Sequence, residues 1–238
     1  MTRDERVKRL VAAFEREPRI NIHRHPIRVE LVEDALIVEG EVKTIAVKKL
    51  ALELAAQVPG VPGIVDRLRI ARTTTMGDGE IRAHLRDALL QEPAFTNVSI
   101  QIQTDGETET IRRVDGDSYI LASVQQGVVT LNGEVISLTH KRLAGVLAWW
   151  IPGTRDVVNG MEVLPDQVDN DSEIVDAVRL VLEKDPLVEA GRVSVRAENR
   201  AVTLEGTVPN EMIREAAELD AWSVFGVDNV DNKLEVRA

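Results

Sequence analysis

Val129-Thr130-Leu131-Asn132-Gly133-Glu134-Val135 is one of three near-copies of the same seven residues. Leu36-Ile37-Val38-Glu39-Gly40-Glu41-Val42 precedes it, and Val202-Thr203-Leu204-Glu205-Gly206-Thr207-Val208 follows. A second glycine stands 20 positions after the first in each: Gly60, Gly153 and Gly226. Two alanines fall at matching places inside that interval, Ala51 and Ala55, Ala144 and Ala148, Ala217 and Ala221. Recurrence of this kind marks tandem copies of one supersecondary unit. It predicts three repeats over residues 1–75, 76–165 and 166–238, each of a size at which contacts between units add materially to stability.

Working outward from the motif, each repeat opens with apolar residues recurring at intervals of three, four, seven or eight, the spacings of one helical face. They are Val7, Leu10, Val11 and Phe14, then Ile81, Leu85, Ala88 and Leu89, then Ile174, Val175, Val178 and Leu182. Glu17-Pro18, Glu92-Pro93 and Asp185-Pro186 end these helices, because proline lacks the amide that would continue the ladder. Asp171 or Ser172 is the expected N-cap of the third. Val193-Ser194-Val195-Arg196-Ala197 alternates with period two, turns at Glu198-Asn199-Arg200 and alternates again through the motif, a hairpin pattern. Second helices are expected over 44–58, 137–151 and 210–224, each closed by its later glycine. Last strands are expected over 65–70, 157–163 and 230–236. The order α-β-β-α-β defines an α+β fold, each unit a three-stranded mixed sheet with two helices on one face and a right-handed crossover.

A hairpin bearing Leu-x-Gly-x-Val, a helix with Ala-x-x-x-Ala and then Gly-Val-x-x-Val-x-x-x-Leu resembles the BON domain. The resemblance is clearest from Val202 to Gly206 and from Gly226-Val227 through Val230 to Leu234. Repeat one carries it at Val38-Glu39-Gly40-Glu41-Val42 and Val58-Pro59-Gly60-Val61; repeat two departs from it where Thr154-Arg155-Asp156 follows Gly153. The resemblance implies a non-catalytic, transport-associated or osmotic-stress protein that binds phospholipid, an envelope protein or, in cytosolic relatives, a small ligand or a cation such as potassium. Most relatives carry an export signal or a lipoprotein cysteine. This sequence has no cysteine and shows no apolar leader after Met1, so the expectation is a cytoplasmic protein, peripheral at a membrane if it meets one.

The repeats differ in three ways. Proline and the motif glycine are 40 positions apart in repeat two, against 22 and 20 in repeats one and three, which places an insertion around 103–118. Two Asp-Gly steps there fit either an extra hairpin or a loop. Charge is uneven: 14 basic against 11 acidic residues in 1–75, 7 against 12 in 76–165 and 8 against 17 in 166–238. An acidic chain of this kind is not expected to bind nucleic acid. Finally, the second helix of repeat two is apolar nearly all round. With Ala144, Ala148 and Ile151 facing the sheet, Val146 and Trp149 point away and Leu143 and Trp150 lie near them; Leu219 and Trp222 match Val146 and Trp149 in repeat three, whereas repeat one has Glu53 and Ala56.

A helix apolar on two sides needs a second partner. Val146, Trp149, Trp150, Leu219 and Trp222 are therefore the candidate interaction surface. They either pack together within the chain or dock a phospholipid membrane or protein partner, and a homo-oligomer through the same faces stays open. Nothing in the sequence reads as catalytic. No phosphate loop, nucleophile elbow or His-Glu-x-x-His occurs. His23 and His25 have no third ligand in view. Asp166, Asp169 and Asp171 lack the glycine and terminal glutamate of a calcium loop. Neither an enzyme activity nor a cofactor or metal is expected.

Overall fold

A computed structural model of the chain describes every residue except 1, 34, 73, 75 and 238. Two of these, 1 and 75, are the limits expected for the first repeat and lie outside the description. The residues group into two compact units, 1–71 and 72–238. The first carries 13 basic and 11 acidic residues and the second 16 and 29.

In the first unit, α1 (Arg3–Arg16) leads into β1 (Ile27–Val32), β2 (Ala35–Val42), α2 (Ile45–Ala56) and β3 (Gly63–Ile70). Thr2 caps α1 in a capping box with Glu5, and Thr44 caps α2, each accepting an otherwise orphaned amide. β2 is central, antiparallel to β1 and parallel to β3. The parallel step needs a crossover, and α2 supplies it. Both helices pack on the same side, with Leu10, Phe14, Leu36, Val38, Ala51, Ala55 and Leu68 fully buried.

The second unit holds two further copies. α3 (Asp78–Gln91), β4 (Ser99–Thr104), β5 (Glu107–Arg112), β6 (Tyr119–Gln125), β7 (Val128–Val135), α4 (Leu138–Trp150), β8 (Asp156–Asn159) and β9 (Glu162–Val163) make repeat two. α5 (Asp171–Lys184), β10 (Val193–Glu198), β11 (Ala201–Val208), α6 (Glu211–Ser223) and β12 (Asn229–Val236) make repeat three. Repeat three repeats the topology of the first unit, order β10-β11-β12. Its α5 is capped by Asn170, one position before the expected Asp171, because Asn170 Oδ1 reaches the amides of Ser172 and Glu173. Asp171 is the first helical residue and accepts instead from the amides of Asn199 and Arg200 at the β10–β11 turn. Asp78 does the same in repeat two, accepting from Gln126 and Gly127.

Repeat two departs from the three-stranded plan. Its sheet has six strands, ordered β5-β4-β6-β7-β8 with β9 also on β7. β6, not β4, is the hairpin partner of the motif strand: Ile120 pairs with Gly133 as Ile27 pairs with Gly40 and Val193 with Gly206. The extra segment is therefore the whole β4–β5 hairpin and its return, about 99–118, rather than 103–118. Arg112 clamps it to the body of the repeat by donating to the carbonyls of Leu90, Phe95 and Val98.

The Leu-x-Gly-x-Val glycine has a steric reason in all three sheets. Gly40, Gly133 and Gly206 have φ of 153°, 127° and 137°. A Cβ there would stand 2.5 Å from Pro26 O, 2.1 Å from Tyr119 O and 2.0 Å from Arg192 O, the carbonyl just ahead of each paired strand residue. No side chain fits at that distance.

Candidate interaction surfaces

α4 packs on both α5 and α6, so the helical layers of repeats two and three meet and their sheets lie on the outer sides. This contact uses the face singled out in the sequence. Val146 and Trp222 are completely buried, Trp149 and Trp150 are half-buried, and Leu219 keeps 39% of its surface exposed. Leu180 of α5 packs against the apolar core of repeat two, which includes Leu143, Ala144 and Ala148. Of the five candidate residues, Val146 and Trp222 are inside the unit and the other three keep part of their surface open.

Polar contacts fasten the same seam. Arg142, 1% exposed, donates from Nε to Phe225 O at 3.0 Å and from its terminal nitrogens to Glu173 O and Asp169. A buried guanidinium is tolerated only when its donors are matched, and here these three bonds all cross the junction between repeats. Asp169, one of the three linker acids, thus pairs an arginine across the junction. Lys141 beside it lies 5.0 Å from the centre of the Phe225 ring; burial first, and the neighbouring Arg142 charge second, lower its pKa. At the other end of α5, Lys184 bonds both oxygens of Glu92, the acid before the proline in repeat two, at 2.9 and 3.0 Å.

Beside that pair, Trp150 Nε1 donates to Asp220 Oδ1 at 2.9 Å. Asp220 is only 4% exposed, and no N–H or O–H donor among the described residues reaches its Oδ2. Its other neighbour is the Asp185 carboxyl. Burial above all, then the charge and hydrogen bond of Asp185, push the Asp220 pKa up to about 8 against the opposing effect of the indole N–H. Sequence reasoning passed over Asp220, although one signal was present. The matching residues of the other repeats are Leu54 and Leu147, so an acid stands where leucine is otherwise used. Trp150, Asp185, Pro186, Ala216, Leu219 and Asp220 line a shallow cavity of about 320 Å³.

The first unit presents a different surface. Its second helix is polar where α4 and α6 carry tryptophan, with Glu53, Ala56 and Gln57 exposed. Between α1 and β1 the chain reads Arg16-Glu17-Pro18-Arg19-Ile20-Asn21-Ile22-His23-Arg24-His25-Pro26-Ile27-Arg28. Four arginines face a single acid here. Arg16, Arg19, Arg24 and Arg28 are all exposed, His23 is exposed and His25 half-buried. Glu17 is engaged by Arg19 at 2.7 Å, a bond that lowers its pKa. The segment is ordered by Asn21, whose side chain accepts from Arg24 N and whose carbonyl accepts from His25 N.

Among the described residues no group of three or more His, Asp or Glu side chains is placed to hold a metal ion. Nor is any helix among them long and apolar enough to cross a membrane. Fold and surfaces together define a tandem-repeat α+β protein whose recurring positions are scaffold and whose individuality lies at the seam and on the first unit. The chain belongs to the BON domain family: the family model matches residues 4–72, 113–165 and 170–238, the third and second segments joining at the seam and the second beginning just beyond β5. No curated protein matches the chain. Solved structures of CdsD, a structural protein of the type III secretion system of Chlamydia trachomatis, are similar at 14% identity over 100% of both chains and at 15% over 91% of this chain and 88% of that one. Both have a TM-score of 0.26.

Proposed function

We propose that the protein is a non-catalytic binding and scaffolding module that associates with anionic phospholipid surfaces through the basic segment between α1 and β1. What carries this reading is the distribution of surfaces. The apolar faces of α4 and α6 are turned on each other, while four exposed arginines lie within 13 residues of a segment holding one acid. Juxtamembrane basic side chains contribute about 1 kcal/mol each near an anionic surface. The second unit, with 16 basic against 29 acidic residues, is repelled by such a surface. That repulsion leaves the first unit as the one that meets lipid.

Vesicle co-sedimentation of the full-length chain tests the reading. Binding to phosphatidylglycerol-containing vesicles and not to phosphatidylcholine alone is the expected result. Replacing two exposed arginines, Arg16→Gln with Arg24→Gln, should weaken it about tenfold or more. Failure to sediment with anionic vesicles, or equal binding by the double variant, would remove the proposal.

A further inference from the structure

Asp185 and Asp220 line one shallow cavity where α5 ends against α6, and among the described residues no cationic side chain lines it with them. Asp220 offers Oδ1 to the Trp150 indole, and its Oδ2 is enclosed without a donor. The other charged groups around it are committed elsewhere. Lys184, next to Asp185, is bonded to Glu92. Arg214 and Glu218, on α6 itself, reach Asn232 of β12. From α4 the facing group is the neutral indole of Trp150. A buried acid beside a half-buried one, with one oxygen lacking a donor, is satisfied by a proton held between them.

We propose that Asp185 and Asp220 share a proton that clasps the C-terminal end of α5 to α6, and that losing it opens the seam between repeats two and three. The clasp sits at a junction. The last residue of α5 is tied to repeat two through Glu92, the next residue is Asp185, and Asp220 bonds Trp150 of repeat two. Without the proton two carboxylates face each other in a place with little water. Asp185 is half-buried at the helix end and is the one able to move outward. Its departure loosens the Lys184–Glu92 pair and admits water to Trp150 and the buried Trp222. The shared proton thus gates access to the apolar helix faces.

The direction with pH follows from the raised pKa of Asp220. An unfolded aspartate releases its proton near pH 4, whereas folded Asp220 keeps it to about pH 8. Across that window the folded state holds the extra proton, so stability falls as pH rises and levels off above it.

Tryptophan emission and acrylamide quenching of the full-length protein between pH 6 and 9.5, with melting temperatures at the same points, test the clasp. Emission should shift to the red and quenching rise through about pH 8, with the melting temperature dropping by about 4 °C or more relative to Asp220→Asn. Asn keeps an acceptor for Trp150 and gives Asp185 a donor, so this variant should show flat profiles. Asp185→Asn removes the neighbouring carboxyl and should move the midpoint to lower pH. Wild type and Asp220→Asn changing in parallel, or a midpoint unmoved by Asp185→Asn, would overturn the proposal. Should Asp220→Asn fail to fold, the Asp185→Asn midpoint decides the matter alone.

Discussion

At the scale of single residues, the motif glycines and the seam arginine are held in place by opposite means. Gly206 is required because something is too close: its Cβ would meet Arg192 O at 2.0 Å in a backbone with φ of 137°. Gly206→Ala should cost about 2–4 kcal/mol, strain and overpacking together. Gly191, with nothing within 4 Å of its Cβ position, is the control, and Gly191→Ala should stay within about 0.5 kcal/mol. Urea unfolding followed by circular dichroism distinguishes the two. Arg142 is required because its partners cannot do without it. Truncation to alanine strips Phe225 O, Glu173 O and Asp169 of their donor, and the expected loss is about 3–5 kcal/mol in the same assay. The glycines were legible in the sequence because a backbone requirement repeats with the backbone. Arg142 was not, since the matching positions are Lys49 and Glu215 and the partners of a buried charge come from a different repeat.

Elements were legible where one pattern had one solution. The amphipathic first helices, the motif strands and the crossover helices all stand where the period places them. The inserted hairpin was displaced for a physical reason. Ser99-Ile100-Gln101-Ile102-Gln103 alternates polar and apolar residues as a half-buried strand does, and it begins 6 residues after Pro93, close to the 7 between Pro186 and Val193. Two strands therefore competed for one slot, and only pairing with β7 assigns it to β6. The seam between α4 and α6 was half legible: an all-round apolar helix demands a partner without saying which. Burial of Trp222 makes the partner testable. Trp222→Ala should cost about 3–5 kcal/mol, as for other large aromatic truncations in a core. Trp222→Phe should cost much less than that, because the indole N–H it removes is buried with no acceptor among the described residues. If both substitutions cost the same, packing volume is not what the seam depends on. Trp149→Ala, at the matching but half-buried position, should fall below Trp222→Ala.

For the whole molecule, the charge imbalance decides what an attraction to lipid must look like. The first unit has a small basic excess and the second a large acidic one, 13 against 11 and 16 against 29. Net charge alone would keep this protein off an anionic membrane, so any binding must come from a local patch acting over a distance no longer than the Debye length. That length is about 10 Å at 0.1 M salt and about 3 Å at 1 M. At very low salt the acidic unit is also felt, because the Debye length reaches about 30 Å at 0.01 M. Binding to phosphatidylglycerol vesicles is therefore expected to be non-monotonic. It should strengthen as salt is raised from about 0.01 M, where repulsion of the acidic unit is screened first, and then weaken towards 1 M as the arginine contacts are screened in turn. A protein held by an apolar face would instead bind as well or better at 1 M salt. Co-sedimentation across that series separates the two. A curve that only rises with salt would return the docking surface to the apolar helix faces, and with it to the opened form of the seam between repeats two and three.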